Sequence, residues 1–249
     1  LLLGALFALT LNTLAQESIT LNSLWQRYEF YAGGISGLRS MNDSKHYTAQ
    51  AEGTIEKYNY LSGEKVALLL DVNALISEEA SVPSFNSYDL SKDEQWALLE
   101  TETDQIYRRS SKSVVWVVNL QSQQATKIRP EKISNATFSP DANYVAYVYD
   151  NNLYIYDISE DAHIGITTDG SFNRIINGAT DWVYEEEFAI VKAFWWSPNS
   201  DKLAYLKFDE SNVRSFNMDI YGKELYPNPY TFKYPKAGED NSLVSAHIW

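Results

Sequence analysis

No cysteine occurs in the 249 residues, which excludes disulfides and any cysteine-ligated zinc. Histidine is almost as scarce. His46, His163 and His247 stand far apart and form no His-x-x-x-His spacing, so neither a histidine-based metal site nor a cofactor is expected. Clusters of lysine and arginine are missing too. With 33 acidic against 20 basic residues and a formal net charge of -13, the chain lacks what neutralises phosphates, and nucleic acid is not expected as a partner. The apolar run over residues 1–11 carries no charge, but it is too short to span a bilayer comfortably. It passes through Asn12-Thr-Leu-Ala15 into Gln16 and Glu17, the pattern of the apolar region and cleavage site of a secretory signal peptide without its Met and basic start. Residues 1–15 are therefore expected to be a truncated signal peptide, the other reading being a buried N-terminal helix. An exported protein without cysteine suits the bacterial periplasm or secretion, with no membrane attachment after cleavage.

Aromatic residues, by contrast, are abundant at 14%, with 18 Tyr and 7 Trp; with frequent Val and Ile they favour strands over helices. One helix is expected early, over Ser18 to Phe30, where Leu21, Leu24, Trp25 and Tyr28 recur at three and four residues and Gly33, Gly34 and Gly37 follow. Ser36 in Gly33-Gly-Ile-Ser-Gly37 does not fit a Gly-x-Ser-x-Gly nucleophile elbow, because a glycine follows the serine directly. No such elbow occurs elsewhere.

From Leu38 onward a unit repeats. Its clearest copies are Phe138-Ser-Pro-Asp-Ala-Asn-Tyr-Val-Ala-Tyr147 and Trp196-Ser-Pro-Asn-Ser-Asp-Lys-Leu-Ala-Tyr205, with weaker copies around Asp43 and Asp93. The aligned positions Asp43, Asp93, Asp141 and Asn199 are 50, 48 and 58 residues apart. Each unit has a polar turn, in which Asp or Asn bonds its own backbone and Pro presets φ, then strands with period-two alternation such as Val114–Val118 and Asn152–Asp157. Self-similarity at roughly 40–50 residues with short strands marks β-propeller blades. The expected fold is mainly β, a partial propeller of about four blades over residues 38–249. A β-sandwich and a complete four-bladed propeller are the competing architectures.

The long third interval contains Asp181-Trp-Val-Tyr-Glu-Glu-Glu187. Three adjacent carboxylates raise one another's pKa unless a cation joins them, and that cation can be a Lys or Arg of the chain, a metal or a ligand amine. Neighbouring strand residues face opposite ways. Glu186 and Glu187 can converge on one group only from a helix or bend, which is expected here. A solvated acidic loop is the plainer alternative.

This stretch resembles the double-glutamate motif of the dipeptidyl peptidase IV branch of the prolyl oligopeptidase family. Its flanks Ile175-Ile-Asn-Gly-Ala-Thr180 and Phe194-Trp-Trp-Ser-Pro198 share the likeness, as do Tyr234-Pro-Lys-Ala-Gly238 and Tyr107-Arg-Arg-Ser110. The resemblance runs from about Ile19 onward. It implies an exopeptidase that removes dipeptides whose second residue is Pro or, less well, Ala, built as an eight-bladed propeller capping an α/β-hydrolase domain with a Ser-Asp-His triad. By motif position Glu186 and Glu187 would hold the substrate's α-ammonium, with Glu185 as a structural neighbour. Arg108 would contact a backbone carbonyl of the dipeptide, though Arg109 stands where several relatives have His, which leaves the register open by one residue. Residues 16–37 resemble the segment that packs against the hydrolase domain. Enzymes of this branch are commonly homodimers.

The logic of such an anchor is electrostatic, since only a chain end carries an α-ammonium and an internal peptide cannot replace its charge-assisted bonds. The triad is expected beyond Trp249, so these residues alone are expected to be inactive and, with open strand edges, poorly soluble. Tripeptidyl and acylaminoacyl relatives are near alternatives, and a non-catalytic propeller binding module is the alternative of another class. A plain structural ion-pair partner is the alternative reading of Arg108, and Trp182, Tyr184, Trp195 and Trp196 are expected to pack between blades.

Overall fold

The computed structural model describes residues 19–78 and 81–249, so the expected signal peptide over residues 1–15 lies outside the described residues. The chain divides into two compact units, residues 1–35 and 36–249. In the first, α1 (Leu21–Trp25) begins in a capping box: Ser23 N–H donates to Thr20 Oγ1 at 3.0 Å and Thr20 N–H to Ser23 Oγ at 2.9 Å. The helix expected over residues 18–30 is thus cut to five residues. Arg27 N–H bonds back to Asn22 O and Tyr28 takes a left-handed φ of 49°, which ends the α geometry before a second turn can form.

Among the described residues the second unit is built of four larger antiparallel sheets met in chain order and one two-stranded hairpin. The first contains β1 (Arg39–Ser40), β2 (His46–Ala51), β3 (Thr54–Asn59) and β4 (Lys65–Asp71); the second contains β5 (Phe85–Leu90), β6 (Trp96–Gln105), β7 (Ser111–Asn119) and β8 (Ala125–Lys127). The third repeats the pattern with β9 (Ser134–Phe138), β10 (Tyr144–Tyr149), β11 (Asn152–Asp157) and β12 (Ala162–Gly165). The fourth departs from it. Here β13 (Ile175–Asn177) and β14 (Phe194–Trp196) pair end to end along one edge of β15 (Leu203–Asp209), and β18 (Leu243–Ile248) takes the other edge. A separate hairpin, β16 (Ser215–Ile220) with β17 (Asn228–Lys233), rises between β15 and β18. This is a partial β-propeller, as the repeat implied. Among the described residues no helix is long and apolar enough to cross a membrane.

Two turns give each sheet its shape. At the repeat positions, Ser44, Glu94, Ala142 and Ser200 all adopt left-handed φ between 56° and 62°. In three of them the serine two residues before the aligned Asp or Asn locks the turn. Its Oγ accepts a backbone N–H, from Trp96, Tyr144 and Lys202 respectively, and donates to Asp93, Asp141 and Asp201. A second turn starts at Asn59, Asn119 and Asp157, whose Oδ1 accepts the N–H groups two and three residues on. These are Asx turns. They fix the length of each strand without glycine at most positions.

Packing follows from period-two alternation with both faces buried. On β7, Val114, Trp116 and Val118 enter the core shared with the first sheet, while Val115 and Val117 enter the core shared with the third. On β10, Val145 and Tyr147 face back to the second sheet, and Ala146 and Val148 face on to Phe194 and Leu203 of the fourth. Each such side chain stabilises the stack by roughly 1.5–3 kcal/mol when fully buried. The sheets therefore sit face to face in sequence order, which fixes where their loops emerge.

Candidate functional site

Residues 178–193 interrupt one edge of the fourth sheet, between β13 and β14. The break leaves no orphan on β15, because Gly178 N–H donates to Leu206 O and Leu206 N–H donates to Ala193 O. Gly178 is required at the exit. Its φ is 75° and an added Cβ would lie 2.9 Å from Leu153 Cδ1 and 3.2 Å from Val148 Cγ2. The stem is closed by Thr180, which bonds Ile190 O through its hydroxyl and Val191 O through its N–H.

At the tip of this insertion lies α2 (Trp182–Phe188), the short helix expected there. Asp181 caps it, accepting Tyr184 N–H at 2.9 Å, and its other oxygen accepts Ser242 Oγ–H at 2.5 Å. Trp182 packs on Tyr234 at 4.4 Å and Tyr184 lies edge-on to Phe208 at 4.9 Å. Trp196 stacks near Tyr144. Trp195 departs from the packing expected of it, being 49% exposed, because it lies between two inward residues on β14.

The helix spreads the three glutamates about its axis, so each meets a different environment. Glu185 is 2% exposed, and its Oε1 accepts N–H from Arg109 at 2.7 Å and from Ser110 at 2.9 Å. Glu186 Oε1 meets the Arg108 guanidinium at 2.8 Å. Glu187 is exposed and, among the described residues, has no ion-pair or hydrogen-bond partner. The cation that the triplet asks for is thus present for one carboxylate only. Of the two arginines it is Arg108 whose side chain reaches the helix, whereas Arg109 contributes its backbone N–H. Both lie in the loop 106–110 between β6 and β7, closed by Ile106 N–H to Ser110 O at 2.8 Å.

Two cavities flank the helix. One, of about 710 Å³, is lined by Glu187, Trp182, Phe216, Met218, Tyr234 and Lys236 among others. The other, of about 680 Å³, has Glu185, Ser110, Tyr107, Tyr230 and Glu210 in its wall. Glu210 is 5% exposed. Burial, reinforced by neighbouring Asp181 and opposed by Lys233, pushes its carboxyl up to about 7. Burial also raises the Tyr107 phenol, helped by Tyr230. Among the described residues no group of three or more His, Asp or Glu side chains is placed to hold a metal ion.

Asp181 stands in the quoted motif without an assigned role, and Ser242 is in no motif. An Asp directly before Trp-Val-Tyr-Glu is an N-cap signature with an acid in the first turn, so Asp181 was findable. Ser242 carries no such signal, since it meets Asp181 only through the pairing of β18 with β15.

A stack of antiparallel sheets with an acidic helix inserted between two edge strands of the fourth defines a partial β-propeller. Residues 91–249 match the model of the dipeptidyl peptidase IV (DPP IV) N-terminal region. The chain is 33% identical over 231 residues to prolyl endopeptidase FAP of Bos taurus, covering 92% of this chain and 29% of that protein. It is 41% identical over 168 residues to dipeptidyl aminopeptidase B of Saccharomyces cerevisiae, covering 66% of this chain and 20% of that protein. The crystal structure of Porphyromonas gingivalis dipeptidyl peptidase 4 superposes with a TM-score of 0.85 at 38% identity, over 94% of this chain and 34% of the other. The chain belongs to the dipeptidyl peptidase IV N-terminal-region family, and it spans about a third or less of the length of these relatives.

Proposed function

We propose that this chain is the substrate-selecting N-terminal part of an exported serine exopeptidase that removes X-Pro, and less well X-Ala, dipeptides from peptide N-termini. Glu186 and Glu187 hold the substrate α-ammonium and Arg108 holds a backbone carbonyl of the dipeptide. The Ser-Asp-His triad belongs to an α/β-hydrolase domain outside these 249 residues, which have no hydrolytic activity alone. Residues 16–37 pack against that domain, residues 38–249 supply the first blades, and the whole enzyme is a periplasmic or secreted bacterial homodimer. Peptides with penultimate Pro or Ala are its substrates.

The observation that carries this reading is the charge left over at α2. Arg108 pairs with Glu186, and Glu187, the next residue on the helix, has no ion-pair or hydrogen-bond partner among the described residues, so the two carboxylates together lack one positive charge. An α-ammonium supplies that charge in charge-assisted bonds. The Arg108 side chain is 70% exposed, and an ion pair so exposed contributes only about 0–1 kcal/mol to the fold. A stabilising role alone is therefore a poor account of it. The names of the yeast and P. gingivalis relatives favour dipeptide over tripeptide release.

The test is hydrolysis of Gly-Pro-anilide by the full-length protein. Glu187→Gln should lower kcat/KM by about 10–100-fold, the worth of one hydrogen bond to a charged group. N-acetylated Gly-Pro-anilide, which lacks the ammonium, should be a poor substrate of the unaltered protein. Equal cleavage of the free and acetylated substrates would sink the reading.

A further inference from the structure

Glu185 is the most deeply buried of the three glutamates, yet among the described residues no ion pair meets it. Its Oε1 is held by two successive backbone N–H groups, those of Arg109 and Ser110, an arrangement that stabilises a buried carboxylate as fixed partial positive charge. One residue earlier on the loop is Arg108, and one residue later on the helix is Glu186, joined to each other at 2.8 Å. The two contacts are adjacent rungs of one ladder. They connect the β6–β7 loop of the second sheet to an insertion in the fourth, across the third sheet that separates them in the stack.

The rungs differ in strength. The outer one is an exposed ion pair between two flexible side chains, which cannot hold a loop in register by itself. The inner one is buried, short, and made to backbone, so it moves the whole loop if it moves at all. Any sliding of α2 against the loop 106–110 must break the inner rung first. We infer that Glu185 is a positioning residue: it sets the distance between the Arg108 guanidinium and the Glu186–Glu187 carboxylates, and so the length of peptide end that fits between carbonyl and ammonium contacts. This rests on the reading of Arg108, Glu186 and Glu187 as substrate-binding groups.

A purely structural role would cost stability but would not act through Arg108. The experiment is a double-mutant cycle in the full-length protein with Gly-Pro-anilide, reading KM and kcat separately. Glu185→Ala should raise KM about tenfold with kcat changed less than about threefold, as expected when binding common to ground and transition states is lost. Glu185→Gln keeps a side-chain carbonyl to accept the N–H groups and should bring KM back to within about threefold of the unaltered protein. In an Arg108→Ala background, adding Glu185→Ala should raise KM by less than about threefold further, because coupled residues are not additive. If Glu185→Ala does not fold, the isosteric Glu185→Gln is compared with and without Arg108→Ala, and its smaller KM effect should vanish in the second. Multiplicative effects, or an unchanged KM in Glu185→Ala when Arg108→Ala raises it, overturn the inference. A silent Arg108→Ala overturns the functional reading and the inference together.

Discussion

The third and fourth sheets come from the same repeat and teach opposite lessons. In the third, four strands run unbroken, and β10 passes to β11 through the two-residue turn Asp150–Asn151, both left-handed, the tightest hairpin connection available. In the fourth, the edge strand beside β15 is split into β13 and β14 to admit α2, and the β15 connection is expanded into the β16–β17 hairpin. The second sheet expands the corresponding connection into the Arg108 loop. All the groups proposed to touch substrate lie in these expansions, and none lies in the regular sheet. The third sheet lies between them, packed on the second through Val145 and Tyr147 and on the fourth through Ala146 and Val148.

Removing packing from the regular sheet should accordingly give the largest loss of stability. Leu153 is fully buried against Phe194 and Leu203 and lies directly beneath Gly178. Leu153→Ala should cost about 2.7–5 kcal/mol, transfer and cavity terms together, read as a fall in urea midpoint at constant slope. Val66→Ala on the exposed side of β4 should change it by less than about 0.5 kcal/mol. Equal costs at the two positions would break the contrast between stacked and outer faces.

The fourth sheet holds a burden the third lacks, a buried carboxyl. Glu210 has its folded pKa raised from 4.5 to about 7, by burial first and then by Asp181 and Asp209 against the opposing Lys233. Between these two values the folded protein keeps a proton that the unfolded chain has released, so stability falls as pH rises through this window. The contribution is complete below pH 4.5 and gone above about 7, of the order of 3 kcal/mol in all. Glu210→Gln should flatten this part of the stability profile. Midpoints of both proteins at pH 5.0 and 7.5 make the comparison, and an identical slope in the two would remove Glu210 as its source.

What the sequence made legible follows the same division. The Asp141 and Asn199 turns and the alternating strands could be read because Asx bonding and period-two burial are local, written within ten residues. The helix could be read because three adjacent carboxylates cannot share a partner from a strand. The distribution of those carboxylates could not, since Glu185 turns inward to N–H groups more than seventy residues away. Likewise, choosing Arg108 over Arg109 depends on how a hairpin tip meets another sheet. The exposure of Trp195 could not be read either, because an aromatic run gives no sign of which member faces out. The second set of Asx turns, at Asn59, Asn119 and Asp157, is equally local, since each Asx side chain bonds N–H groups only two and three residues on.

The smallest expected effect falls at the end of α2. Ala189 caps the helix with φ 55° and ψ 30°, donating its N–H to Glu185 O and Tyr184 O. Left-handed backbone costs an L-residue roughly 1–2 kcal/mol that glycine avoids, and glycine is the usual residue at such a helix end. Ala189→Gly relieves that strain but adds freedom to the unfolded chain, which offsets about 0.4–1 kcal/mol. The net gain should be at most about 1 kcal/mol, a rise of a few degrees or less in Tm. Ala142→Gly, in the left-handed turn of the third sheet at φ 60°, should gain a similar amount. The functional readouts should part company, because only Ala189 terminates the helix that carries the glutamates. An Ala189→Gly protein that gains stability but shows a raised KM for Gly-Pro-anilide would mean that the alanine keeps α2 stiff, whereas Ala142→Gly should leave KM unchanged.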